Sequence, residues 1–173
     1  YQQAGYSPTT VELIEAHGTS TKVGDATELS TLAEIYSQSG AGDHVAVGSV
    51  KSQIGHLKAA AGMAGLLKAC LSLHNRTIPP SAGFEQPNTS VNWNENPFFV
   101  PTIATDWPLP PSGLPRRAGI SSFGFGGTNF HCALEQYDPE YHLNLVKQLN
   151  DKNTDSIEPP NAPSVLDQTA SPS

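Results

Sequence analysis

The sequence predicts an α/β layered fold, and three observations carry that prediction. Apolar strand-like runs alternate with helix-like segments in the order strand–helix–strand–helix, which implies parallel strands joined by right-handed crossovers. The second run, residues 45–50, lacks the in–out alternation of a half-exposed strand, as expected when both faces are covered. The segment that follows it is so rich in Ala and Gly that neighbouring backbones can approach closely, which suits a helix buried in the middle of the layers.

Residues 11–17 read as the first strand, running into the turn Gly18-Thr19-Ser20-Thr21. Gly24-Asp25 then opens a helix, with Asp25 as its cap and Glu28 completing a capping box. Leu29, Leu32, Ala33 and Tyr36 follow at helical spacing and predict one buried stripe. Residues 39–43 end this helix, and 45–50 form the second strand. A polar turn carrying Lys51 leads into a second helix over residues 55–74. Ala59, Ala60, Ala61, Gly62, Ala64 and Gly65 line its first half, and Leu66, Leu67, Cys70, Leu71 and Leu73 fill its second.

Residues 75–115 read as loop, punctuated by prolines from Pro79-Pro80 to Pro115; a loop this long is usually functional or packed along a surface. Two final strands, 117–122 and 130–136, flank the glycine-rich turn 123–129. After Tyr137 the chain turns polar. The reading is therefore a domain over residues 1–137 and a linker or disordered tail over 138–173.

Composition narrows the function. The 173 residues are 37% hydrophobic and 14% charged with 15 Gly and 15 Pro, a globular and turn-rich balance. A net charge of -7 argues against nucleic acid, which needs a basic patch. No apolar run is long enough for a membrane span and no signal peptide opens the chain. The two cysteines, Cys70 and Cys132, make a disulfide framework improbable and suit a reducing, cytoplasmic setting. The chain starts at Tyr1 just ahead of a strand, so a preceding N-terminal part is expected.

The chemistry concentrates at strand ends. His17 closes the first strand and His56 follows the second by a turn, so both reach the carboxyl end of the sheet, where α/β sites collect. Taken alone, Lys51 and His56 read as a solvated lysine and a helix-entry histidine. Their convergence with His17, Thr19 and Thr21 favours a site. A helix N-terminus at His56 would disfavour imidazolium, and a neutral ring can donate a hydrogen bond to a developing oxyanion. Zinc fits poorly, because closely spaced ligand pairs are missing. The loop Gly124 to Gly127 lacks a Walker lysine and a following helix, and reads instead as backbone N–H groups brought close to a ligand. Cys70 reads as buried packing, and Cys132 points away from its neighbour His131. His44, His74, His131 and His142 read as surface or structural residues.

Three motifs now converge on a family. Glu15-Ala16-His17-Gly18-Thr19-Ser20-Thr21 with Gly24-Asp25 and Glu28 comes first. Gly48-Ser49-Val50-Lys51-Ser52-Gln53-Ile54-Gly55-His56 follows, and then Gly119-Ile120-Ser121-Ser122-Phe123-Gly124-Phe125-Gly126-Gly127-Thr128-Asn129. In this order they resemble the β-ketoacyl synthases over Tyr1 to Tyr137. The resemblance implies the C-terminal half of a thiolase-like layered αβαβα fold. Arg116 to Ser122 and the Pro79-Pro80 turn look like the multidomain type I enzymes, and Thr128-Asn129-Phe130-His131 looks most like the polyunsaturated fatty acid synthases. Gly65 stands where many dissociated fatty-acid enzymes carry glutamate, a further likeness to type I.

Carried over by position, His17 and His56 are the histidines of a Cys-His-His triad that supports malonyl decarboxylation. Lys51 orders the site. Thr19 and Thr21 hold the phosphopantetheine arm, and Phe125, between Gly124 and Gly126, is the gating aromatic. The resemblance further implies decarboxylative Claisen condensation, substrates delivered by an acyl carrier protein, no bound cofactor or metal, and a homodimer when the domain is intact. The nucleophilic cysteine belongs to the N-terminal half, absent from this sequence, so the piece alone is expected to be inactive. Two rivals are a non-catalytic partner like the chain-length factors, which usually lose the histidines retained here, and a decarboxylase with glutamine at the cysteine position.

Overall fold

The computed structural model describes residues 1–36 and 45–154. The expected helix end at 39–43, His44 and the tail beyond Thr154 lie outside the described residues. The chain divides after Tyr137 into two units.

In the first unit, β1 (Leu13–Glu15) is the central strand. It pairs in parallel with β2 (Val45–Gly48), Leu13 opposite Ala46, and along its other edge with β6 (Arg117–Phe123), Leu13 opposite Ala118. β6 turns back into β7 (Asn129–Glu135) as an antiparallel hairpin. β2 pairs in parallel with β4 (Phe98–Phe99), giving the order β4-β2-β1-β6-β7.

Two helices cover the sheet, α1 (Lys22–Tyr36) on one face and α3 (Ala61–Asn75) on the other. Adjacent strand residues point to opposite faces, so three-residue β1 serves both cores. Ile14 packs with Leu29, Leu32 and Tyr36 beneath α1, while Leu13 packs with Ala69 and Leu73 beneath α3. Fully burying side chains such as Ile14, Val45 and Phe98 contributes about 1.5–3 kcal/mol each. Ala61, Gly65 and Ala69 recur along the buried face of α3 and seat that helix directly on β1 and β6.

Several sequence expectations are corrected. α1 starts at Lys22, ahead of Asp25, so Asp25 is no N-cap and Glu28 closes no capping box. The segment expected as one helix from Gly55 is broken: α2 (Lys51–Ile54) occupies the expected polar turn, a 3₁₀ turn spans Lys58–Ala60, and α3 begins only at Ala61. The cause is local. Gly55 and Lys58 have φ of 77° and 53°, which a right-handed helix cannot contain. His56 therefore precedes α3 without opening it, and the helix-dipole argument for its neutrality falls. Only one face of α3 is buried; Met63, Leu67 and Leu71 are exposed, and so is Cys70, which the apolar sequence context had placed inside. The long loop contributes β4 and a two-stranded antiparallel pair, β3 (Thr77–Ile78) with β5 (Thr105–Asp106).

In the second unit the expected disordered linker is helical over α4 (Pro139–Thr154). Asp138 caps it, its Oδ1 accepting the Tyr141 N–H at 2.8 Å, and Pro139 holds the first position, where its missing N–H costs nothing.

Candidate functional site

β1 delivers its chain to the site through Ala16, His17 and Gly18. Both carboxylate oxygens of Glu28, from α1, receive this turn: Oε1 accepts the His17 N–H at 2.8 Å and Oε2 the Gly18 N–H at 3.0 Å. Gly18 is in the left-handed region at φ 46°, and a Cβ there would lie 2.9 Å from Ser49 Cβ, so the ends of β1 and β2 meet closely because this residue is glycine. Asp25 serves the same turn. Burial pushes its carboxyl up, while the N–H groups of Ser20, Thr19 and Thr21 pull it down.

β2 delivers Ser49, Val50 and Lys51. Gly55 ends α2 by donating its N–H to the Lys51 carbonyl at 3.0 Å, and the chain then turns to present His56. The two imidazoles meet nearly at right angles, 5.7 Å between centroids. β6 completes the cluster, with the Phe123 ring 5.3 Å from that of His17.

The backbone fixes both tautomers. His17 Nδ1 accepts the Phe123 N–H at 3.3 Å, and His56 Nδ1 accepts the Lys58 N–H at 2.9 Å. A neutral ring whose Nδ1 accepts carries its proton on Nε2, so each histidine can offer an Nε2–H donor. Burial holds His17 below the usual histidine range, helped by Lys51 and then His56. Burial also pulls the Lys51 ammonium down, and Glu15 and Glu28 oppose it. Thus the structure brings His17, Lys51 and His56 together, and makes both rings potential donors without a helix dipole.

The remaining predicted residues lie around this cluster. Thr21 lines a cavity of about 560 Å³ together with Gly18, Ser49, Ser52, Gly83 and Trp93. Thr19, His17, Lys51 and His56 are not among its lining residues. Gly124, Phe125 and Gly126 form the exposed β6–β7 turn, closed by the Gly124 N–H on the Thr128 carbonyl at 2.9 Å. Neither cysteine joins the site. His131, beside Cys132, instead hydrogen-bonds Tyr1 Oη at 2.8 Å and Ser121 Oγ at 3.0 Å. Among the described residues no cluster of three or more His, Cys, Asp or Glu is placed to hold a metal, and no helix is long and apolar enough to cross a membrane.

Sequence reading missed the carboxylates behind the cluster. From the sequence Glu28 reads as a helix cap, and Glu15 reads as part of the strand with no role of its own. The available signal was Glu15 itself, a carboxylate within a strand expected at the centre of an apolar sheet.

Residues 1–85 match the family model described as "Beta-ketoacyl synthase, C-terminal domain". Over 158 residues the chain is 46% identical to a polyunsaturated fatty acid synthase polypeptide of Thraustochytrium sp., covering 86% of this chain and 6% of that protein. It is 48% identical over 130 residues to a phenolphthiocerol/phthiocerol polyketide synthase polypeptide of Mycobacterium tuberculosis, covering 75% and 8%. Against the ketosynthase from module 6 of the bacillaene synthase of Bacillus subtilis it superposes with a TM-score of 0.76 at 36% identity, covering 90% of this chain and 30% of that one. The chain thus spans less than a tenth of the two curated relatives and about a third of the solved ketosynthase.

Proposed function

Since the chain belongs to the β-ketoacyl synthase family, whose C-terminal domain it carries, we propose that it supplies the malonyl-decarboxylating half of a condensing site in a polyketide or polyunsaturated fatty acid synthase. The observation that carries this reading is the matched pair of backbone-held imidazoles. His17 and His56 each receive a backbone N–H on Nδ1, which leaves Nε2–H to donate.

In the proposed reaction a malonyl thioester loses carbon dioxide. The electron pair of the breaking carbon–carbon bond forms an enolate, and its oxyanion is held by the two Nε2–H groups. Such donors act on charge that appears as the reaction proceeds, and each is worth about 3–4 kcal/mol. The enolate carbon then attacks an acyl thioester on a cysteine of the N-terminal half, forming the new carbon–carbon bond and releasing the thiolate. Lys51 orders the cluster as an ammonium. Thr19 and Thr21 hold the phosphopantetheine arm of an acyl carrier protein, and the exposed Phe125, between Gly124 and Gly126, gates the acyl side. No bound cofactor or metal takes part.

The exposed row Met63, Leu67 and Leu71 on α3 supports the need for that N-terminal half, without which the piece is inactive; the dimeric, cytoplasmic setting rests on the family resemblance alone. The test is malonyl decarboxylation by the full-length synthase. His17→Ala and His56→Ala should each lower the rate by about 10²–10³ with the fold retained. A wild-type rate in either variant would remove the role assignment.

A further inference from the structure

Glu15 is buried at the end of the central strand, 2% exposed, and it joins three elements. Its Oε2 lies 2.8 Å from Lys68 Nζ of α3. Its Oε1 accepts the N–H of Val50, the residue just before Lys51. One glycine makes the seat. A Cβ at Gly65 would stand 3.0 Å from Glu15 Cγ, tighter than side chains normally pack. A carboxylate excluded from water this thoroughly is retained only with a close cation and donors on its oxygens, and both are present.

We propose that Glu15 is the positioning residue of the histidine–lysine cluster: seated against Gly65 and paired with Lys68, its carboxylate holds the Ser49–Val50 peptide just ahead of Lys51 and supplies a negative charge facing that ammonium. The inference rests on the ketosynthase reading of the site and adds a residue to it. Lys51 is faced by Glu15 from β1 and Glu28 from α1, and both favour its charged form against burial. His17 is faced by Lys51 and His56, and both favour its neutral form. Burial pushes the Glu15 carboxyl up, and Lys68, the Val50 N–H and Lys51 pull it back toward the charged form. Charge is therefore relayed from a residue outside the reaction space to the imidazole that works in it.

Removing one member of a buried pair strands the other charge, so the informative variant is Glu15→Gln with Lys68→Met, which neutralises both while Gln can still accept the Val50 N–H. The assay is malonyl decarboxylation by the full-length synthase as a function of pH, beside thermal unfolding. The double variant should keep its fold and lose the alkaline limb about one pH unit earlier, roughly tenfold in rate at a pH on that limb. Glu15→Asp retains the charge and should keep the limb at the wild-type pH while the rate maximum falls. A folded double variant with the wild-type profile overturns the proposal, and so does a Glu15→Asp limb displaced as far as that of the double variant. Should the ketosynthase reading itself be wrong, wild type and His17→Ala would decarboxylate malonyl thioester alike, whatever the Glu15 variants do.

Discussion

At the scale of single residues, His17 is where burial, charge and hydrogen bonding act in the same direction. Its ring is desolvated, faces Lys51 and His56, and accepts a backbone N–H, all of which oppose a second proton. A group whose folded value lies below its ordinary 6.5 contributes stability that is fully present above that value. That contribution is lost as the pH falls through the lower folded value. Denaturant titrations of wild type and His17→Asn between pH 8 and 5 should therefore diverge, with wild type losing stability more steeply below about 6.5. Parallel curves would mean that His17 titrates as it does in the unfolded chain. The same histidine was readable from sequence because a strand-ending residue beside a Gly-Thr turn has one destination in an α/β sheet. Its carboxylate supports were not, because Glu28 reaches back across the turn to His17 and Gly18, a contact that helix periodicity does not encode.

At the scale of elements, α3 shows how a helix is ended by an unfavourable residue. Arg76 caps it in the left-handed conformation at φ 57°, with its N–H on the Ser72 carbonyl. Glycine takes this conformation without the Cβ penalty. Arg76→Gly should stabilise the protein by about 0.5–1 kcal/mol, read as a higher denaturation midpoint, and it also removes a like charge from the vicinity of Arg116. A lower midpoint would show that Arg76 contributes packing that outweighs its strain. Strand and helix order were legible here, as was the stripe Leu29, Leu32, Ala33 and Tyr36, because period and burial agree over several turns. The start of α3 was not, since Ala and Gly favour a helix wherever they occur and the break lies in φ at Gly55 and Lys58. β4 escaped notice for another reason: two residues, Phe98 and Phe99, in a proline-rich stretch carry no periodicity.

At the scale of the whole molecule, the first unit has two cores but leaves one side of α3 uncovered. Met63 and Leu67, one turn apart, are 68% and 58% exposed, with Leu71 at 51% beyond them. On the proposed function this row packs against the N-terminal half. Leu67→Glu should then raise the soluble yield of this chain expressed alone and lower its binding of a hydrophobic dye. In the full-length synthase the same change should destabilise the domain by about 2–4 kcal/mol. Equal stability of the full-length variant and wild type would mean that this row faces solvent in the assembled enzyme. The sheet order has a consequence of its own for the newly made chain. β1 finds its partner β2 soon after synthesis, but its other edge waits for β6, about a hundred residues later. Closing a loop of that length costs about 4 kcal/mol of chain entropy, and β6 must leave the ribosome before that cost can be met. Throughout that interval the strand that leads into the first histidine stands with one row of amide and carbonyl groups unpaired, and shielding that edge is left to whatever the growing chain first meets.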